Sequence, residues 1–347
     1  MKNLTISPDV SIRHAMKALD ETAEKCLLVV DEKNKLHGTL TDGDLRRSIL
    51  TGAKVTSAIS SYYNDTPTVL VQGMFERNQA KQLLLDLKID LIPVIDNDEK
   101  VVDYITWSKL GGEKSQRYLN DVPVVIMAGG KGTRMEPFTK VLPKPLIPIQ
   151  DKPIIEHIIE KFTEAGCCEF YMTVNYKSKI MKAFFEELDP EYDIQFIDEN
   201  EPLGTAGSLG YLEGRLSNPF FVSNCDILIH ADYPKVYDYH LNGGYDVTLV
   251  ASTKEYIIPY GTCELNEGGS LSHINEKPSY EFLVNTGLYV LNPNVLTDIP
   301  ENKFYHLTHL IEDLKNEGRK VGVFPVGEDA WIDIGQWAEY HNAIKEM

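Results

Sequence analysis

The sequence predicts an α/β protein in two parts: a Rossmann-like domain built on a mainly parallel sheet, preceded by a smaller α+β domain. Three observations predict it. Beyond residue 122, short apolar runs alternate with amphipathic stretches of helical length, the pattern of strands joined by crossover helices. One run, Val124 to Met127, passes directly into Gly129, Gly130 and Gly132, as a buried strand does when it opens onto a ligand loop. Ahead of residue 112 the chain instead repeats itself weakly at a constant offset of 65 residues.

The repeat comes first in the chain. Residues 27–31 (LLVVD) and 36–41 (LHGTLT) return as residues 92–96 (IPVID) and 101–106 (VVDYIT). Each copy reads as strand, polar turn, strand, with an amphipathic helix ahead of it at 12–20 and 78–87. Such a unit cannot bury its own sheet and is predicted to pack against its twin. Residues 111–120 (GGEKSQRYLN) are polar and glycine-led, as a linker should be. The expected boundaries are therefore 1–112, a linker at 113–121, and 122–347.

In the second part, strands are predicted at 124–127, 170–174, 194–197, 220–223, 247–251 and 287–291, and helices at 154–165, 179–188, 205–216, 307–317 and 336–345. Helices on both faces of such a sheet place ligands at the C-terminal ends of its strands.

Bulk properties narrow the function. The 347 residues suggest two or three domains, and a 43% hydrophobic content allows substantial cores. A formal charge of −18 argues against nucleic acid or an anionic membrane as partner. Nucleotides remain compatible with it if cations are concentrated locally. Five cysteines, Cys26, Cys167, Cys168, Cys225 and Cys263, show no paired spacing and fit free thiols. The start, MKNLTISPDV, lacks a signal-peptide core, and no apolar run reaches the length of a membrane span. A cytoplasmic location is expected.

The glycine loop carries the chemistry. Gly129, Gly130 and Gly132 let backbone amides approach a ligand, and Arg134 and Lys144 follow on a segment stiffened by Pro137, Pro143, Pro145 and Pro148. Amide donors and fixed cations are what a nucleoside triphosphate requires. A P-loop is excluded because Lys131 is followed by Gly132, and a dinucleotide fingerprint because Met135 stands where its third glycine belongs.

The run from Val124 to Ile149, with GGKGTR, then P-F-T, then PKPL, resembles the signature of sugar-1-phosphate nucleotidyltransferases. The resemblance extends from about residue 122 to the C-terminus. It implies an Mg²⁺-dependent in-line displacement at the α-phosphorus of a nucleoside triphosphate, giving an NDP-sugar and pyrophosphate. It further implies nucleotide contacts at Ala128, Gly129, Gly130, Gly132 and Thr133, with Arg134 on the β and γ phosphates and Lys144 on the α or attacking phosphate. Asp226 and Asp333 would hold the metal, as hard oxygen donors suit Mg²⁺. Lys277 and Glu276 would take the sugar phosphate and the sugar, with Asn285, Thr286 and Gly287 forming the sugar turn. The attacking phosphate is already anionic, so no general base is expected. His306 and His309 read as ordinary helix residues.

The segment EPLGTAG, residues 201–207, is the form found in guanylyltransferases. Gly204 and Thr205 would open the next helix beside the nucleotide. Glu199 is the expected base reader, with Glu201 the alternative: guanine presents two donors side by side that one carboxylate can accept. GTP is the expected nucleotide, although a uracil or thymine N3–H could also meet a carboxylate. A uridylyltransferase, a mannose-1-phosphate enzyme and a non-catalytic nucleotide-binding homologue therefore stay open.

The N-terminal repeat resembles a CBS pair. Gly38, Thr41 and Asp44 match the ligand signature in the first copy, Thr41 suiting a phosphate and Asp44 ribose hydroxyls. In the second copy Asp103 and Lys109 replace the glycine and the aspartate, leaving Thr106. The resemblance implies at most one AMP or ATP site per chain; a purely assembling role is the alternative, and CBS pairs commonly associate, so a homo-oligomer is expected. A CBS pair fused ahead of such a transferase resembles the guanylyltransferases of bacterial legionaminic acid biosynthesis, which act on glucosamine-1-phosphate.

Overall fold

The structure is a computed structural model that describes residues 4–22, 25–107, 109–110, 119–335, 337 and 339–341. The chain forms two compact units, one of residues 1–116 with 253–282, the other of residues 117–252 with 283–347. Most of the expected linker at 113–121 and of the helix expected at 336–345 lies outside the described residues.

In the first unit the repeat is realised residue for residue. Helix Ile12–Thr22 and strands Cys26–Val30 and Leu36–Thr41 recur as Arg77–Leu87, Leu91–Ile95 and Val101–Thr106. Both hairpins are antiparallel, and each has an irregularity at the same place, Val29/Val30 and Val94/Ile95. Alternation along the strand explains why one copy needs the other. Leu27 and Val29 face their own helix with Ile12, Ala15 and Leu19, whereas Cys26, Leu28 and Val30 form a separate cluster with Leu91 of the twin. At the turns the copies exchange equivalent bonds: the Leu36 amide donates to Glu99 O and the Val101 amide to Asn34 O, each at 3.0 Å. Lys35 bridges Lys100 between them. These positions are 65 apart, so the two copies are related by a local pseudo-twofold.

The second unit is a seven-stranded sheet in the order Asp193–Asp198, Glu169–Val174, Val124–Met127, Phe220–Asn224, Ser279–Leu291, Val247–Ile257 and Val321–Val326. The first four run parallel, Ser279–Leu291 runs antiparallel to Phe220–Asn224, and Val247–Ile257 pairs parallel with Val321–Val326. Val124–Met127 is buried along its whole length and feeds both faces. Val124 and Ile126 pack with helices Ile154–Glu164, Ser178–Leu188 and Tyr233–Gly243. Val125 and Met127 pack on the other face with Leu307, Leu310 and Leu314 of helix Leu307–Asn316. Ile154, Ile155, Ile158, Ile159 and Phe162 give their helix one apolar face of this kind.

Several expectations need correction. The helix expected at 205–216 is a 3₁₀ segment over Gly207–Leu212, because the amides of Ala206 and Gly207 both go to Tyr305 O instead of starting an α-helical ladder. The strands expected at 247–251 and 287–291 extend to Val247–Ile257 and Ser279–Leu291, and a hairpin of Thr262–Leu265 with Leu271–Asn275 lies between them. Polar, glycine-broken sequence hid that hairpin, which faces water rather than a core. Among the described residues no helix is long and apolar enough to cross a membrane.

Candidate active site

The site grows from the C-terminal ends of three parallel strands in the second unit. At the end of Val124–Met127, the Ala128 amide still donates to Thr173 O at 2.9 Å. Among the described residues, no hydrogen bond engages the amides of Gly130, Lys131 or Gly132, which leaves a run of donors of the kind that cradles phosphate. Gly132 is left-handed, φ 65°, and caps the short helix Thr133–Met135 on which Arg134 is exposed. Thr139 Oγ1 ties the loop back by donating to Gly132 O at 3.0 Å.

Lys144 is held on the buried turn Lys144–Leu146, between two prolines that restrict its backbone. Its ammonium forms an ion pair with Asp226, and the two side chains are only 8% and 15% exposed. Nζ also lies 3.4 Å from Gly335 O.

Asp226 and Asp333 come together through a small antiparallel ladder. Ile227–Ile229 pairs with Trp331–Asp333, setting Ile227 opposite Asp333, and the Ile334 amide donates to Asp226 O at 2.8 Å. Asp333 accepts from the Gly335 amide at 2.7 Å. Burial, reinforced by the charges of Asp226 and Glu339, holds its carboxyl above the usual carboxylate range against the pull of the Gly335 amide and Lys144. Cys225, next to Asp226, is a poor nucleophile here: burial first and the Asp226 charge second push its thiol up to about 12.

Glu199 follows the strand Asp193–Asp198 and is 8% exposed. Its carboxylate lies directly over Gly129, where a Cβ would stand 2.5 Å from Oε1. A Cβ here would force the carboxylate to shift. Oε2 accepts from the Leu203 amide at 3.4 Å, and Asn175 Nδ2 fixes the Glu199 carbonyl at 2.7 Å. Glu201, by contrast, is exposed. Gly204 is left-handed, φ 79°. Thr205 Oγ1 accepts from the Leu307 amide at 3.0 Å and so caps the helix Leu307–Asn316. His306 is that helix's N-cap residue rather than a member of it, and its Nδ1 lies 3.3 Å from Thr205 Oγ1.

In the sugar turn, Asn285 Nδ2 donates to Tyr289 OH at 2.7 Å and its Oδ1 accepts from Gly287 N at 3.1 Å. Thr286 is buried and donates to Val250 O at 2.8 Å. Gly287 is left-handed and lies against the Asn224 side chain. Glu276 and Lys277 fall instead in the arm 253–282 of the first unit, where both are exposed and Lys277 has a φ of 46°.

The structure thus gathers the glycine loop, Lys144, Glu199, Asp226 and Asp333 within one unit. It adds the Gly335 carbonyl, Asn175, Asn224 and Glu339, whose Oε2 is buried and lacks a hydrogen bond. None of these four carried a motif; only the run WIDIG, which contains Gly335, hinted at one. Among the described residues no group of three or more metal-binding side chains occurs. Two adjacent carboxylates, one destabilised in its charged form, still fit a hard cation that takes its remaining oxygens from phosphate and water.

In the first unit, Thr41 and Asp44 form a capping box at the start of helix Asp42–Leu50, with Thr41 N 2.8 Å from Asp44 Oδ2, and Arg47 pairs with the same carboxylate. Gly38 allows close approach of Asn64 O and the Tyr63 ring. In the second copy Asp103 and Lys109 pair with each other at 2.5 Å, and Nζ sits 3.5 Å above the Tyr104 ring.

The family described as nucleotidyl transferase matches residues 123–347, and the CBS domain matches residues 1–51. The chain belongs to the nucleotidyl transferase family. A mannose-1-phosphate guanyltransferase 2 of Candida glabrata is 35% identical over 222 residues, 61% of this chain and 61% of the relative. The mannose-1-phosphate guanylyltransferase catalytic subunit beta of Drosophila melanogaster is 32% identical over 228 residues, 62% and 60% of the two chains. The match thus spans about three fifths of the length of these curated relatives. The crystal structure of HddC from Yersinia pseudotuberculosis superposes with a TM-score of 0.52 and 26% identity over 65% of this chain and 99% of that one. The same protein has been solved in complex with GMP-PN. These likenesses establish the nucleotidyltransferase fold, with a CBS region ahead of it.

Proposed function

We propose that this protein transfers a guanylyl group from GTP to a hexose-1-phosphate, releasing pyrophosphate. The observation that carries the reading is the buried Lys144–Asp226 pair at the mouth of the glycine loop, with Asp333 held beside it. A phosphate oxygen of the sugar phosphate attacks the α-phosphorus, one P–O bond forms, and the bond to the β-phosphate oxygen breaks with its electrons leaving on pyrophosphate. Two anions must approach one another, so positioning and charge neutralisation are the protein's task.

Each residue then has a task. The amides at Gly129 to Thr133 seat the triphosphate, Arg134 steadies the departing β and γ phosphates, and Lys144 balances the negative charge at the α-phosphate. Asp226 and Asp333 would hold Mg²⁺, which when bound would supply positive charge to the phosphates. Glu199 accepts from the base, Asn285, Thr286 and Gly287 receive the sugar with Glu276 as a second sugar contact, and Lys277 takes the phosphate of the sugar phosphate. Residues 1–112 serve as the regulatory or assembling part, with adenine nucleotide at Gly38, Thr41 and Asp44 and a homo-oligomer as the working form.

For the sugar, the CBS region fused ahead of the transferase supports glucosamine-1-phosphate, as in legionaminic acid biosynthesis. A second reading, mannose-1-phosphate, is supported by the names of the similar guanylyltransferases. Pyrophosphate release with Mg²⁺, each of GTP, UTP, CTP, ATP and dTTP, and either sugar phosphate tests all of this. Release with GTP alone supports guanylyl transfer, and the faster sugar decides between the two. Release with UTP alone overturns the base assignment. Silence with every pair, with and without AMP or ATP, overturns catalysis.

A further inference from the structure

The arm 253–282 joins the first unit through two carboxylates, one on each of its long strands. Glu255, on Val247–Ile257, forms an ion pair with Arg13 near the start of helix Ile12–Thr22. Glu281, on Ser279–Leu291, accepts from two successive backbone amides, Val55 at 2.6 Å and Thr56 at 3.1 Å. These landing points are one structural element. The Arg13 amide donates to Val55 O and the Ile12 amide to Ser57 O, both at 2.9 Å, and Ser11 bridges Ala58.

The arm presents the two carboxylates side by side. The Ile258 amide donates to Pro278 O at 3.0 Å, and stepping three residues back from Ile258 and three on from Pro278 reaches Glu255 and Glu281. A carboxylate on two adjacent amides is a charge-assisted, directional anchor. The outer part of the arm buries little: Leu265, Leu271 and Ile274 are all more than half exposed. With so little apolar burial to hold it, the arm depends on polar anchors for its order.

We infer that Glu255 and Glu281 are a carboxylate clamp that fastens the arm to the first repeat and thereby positions Glu276 and Lys277 for the sugar phosphate. The inference rests on the reading above for those two residues. Glu255 and Glu281 touch no substrate; they are positioning residues that act through the arm.

The test uses the full-length chain with Glu281→Gln and, separately, Glu255→Gln. Gln at 281 turns one acceptor into a donor facing an amide, so one of the two bonds and the charge are lost while the size is kept. Amide exchange over residues 262–265 and 271–275 is expected to quicken about tenfold, with exchange in the strand Val124–Met127 unchanged. The KM for the sugar phosphate is expected to rise about tenfold, while kcat and the KM for GTP stay within about twofold. Unchanged arm exchange in both variants overturns the clamp. Faster exchange with an equal rise in both KM values overturns the positioning role. A parent protein without turnover overturns the proposed function, while the exchange data, which need no substrate, still decide the clamp. If Glu281→Gln does not fold, Glu255→Gln on the other strand decides alone.

Discussion

Two lysine–aspartate pairs stand at signature positions, one where a ligand is expected and one where the signature is lost, and they differ chiefly in burial. The side chains of Lys144 and Asp226 are 8% and 15% exposed, whereas those of Lys109 and Asp103 are 35% and 43% exposed. Attraction between charges strengthens as the effective dielectric falls, and so does the cost of stranding one of them. The buried pair is therefore two charges held together away from water, and in the proposed function its lysine would answer a phosphate and its aspartate a cation. The exposed pair replaces a glycine and an aspartate of the first repeat and fills that place with its own side chains.

The largest effect is expected at the buried pair. Lys144→Ala or Asp226→Ala should lower turnover by at least about a hundredfold, read as steady-state pyrophosphate release. Each single change should also cost about 3 kcal/mol of stability by stranding a charge. Replacing both, Lys144→Met with Asp226→Leu, should recover most of that stability and none of the turnover. Recovery of turnover would break the comparison.

The first repeat comes next. Asp44→Ala should abolish saturable heat on AMP or ATP titration, with a further loss of about 1 kcal/mol from its capping box. Restoring the signature in the second copy by Asp103→Gly with Lys109→Asp should add a second binding event. No heat in the parent protein would leave the repeat a structural module.

A pair of intermediate exposure calibrates the scale. Asp246 accepts from Arg319 at 2.8 Å and from the Lys320 amide at 3.0 Å. The Arg319 hydrogen bond, chiefly, holds its carboxyl below the usual range, helped by that amide and opposed by burial. A folded-state pKa below the unfolded one means stability that is present above the unfolded value and lost as pH falls through the folded one. Asp246→Asn should therefore cost about 1 kcal/mol at pH 7 in chemical denaturation, and the difference should close below the ordinary carboxylate range. The smallest effect belongs to Lys109→Ala, about 0.5 kcal/mol or less and weaker still in high salt.

The candidate residues were legible to different degrees. Gly129, Gly132, Arg134 and Lys144 lie within 16 residues of one another and announce a phosphate loop by local spacing alone. Asp226 and Asp333 are separated by 107 residues and read individually as ordinary strand-end acids. Only the pairing of Ile227 with Asp333 makes them neighbours. Glu199 could be named from the EPLGTAG segment, but its position over Gly129 depends on the register of two strands on either side of Glu169–Val174. The helix expected at 205–216 failed because Tyr305, a hundred residues downstream, takes the amides that would have begun it.

The sequence by itself determined what repeats and what alternates. The 65-residue offset, the helix faces of Ile154–Glu164 and Leu307–Asn316, the buried strand and the glycine loop all follow from periodicity and local backbone chemistry, which act over a few residues. The tertiary structure decided which charges meet. It buried Lys144 against Asp226, brought Asp333 beside them, closed the second repeat with Asp103 and Lys109, and tied the arm to Arg13, Val55 and Thr56. Those outcomes depend on long-range register and on how completely water is excluded from a pair. No local pattern encodes either.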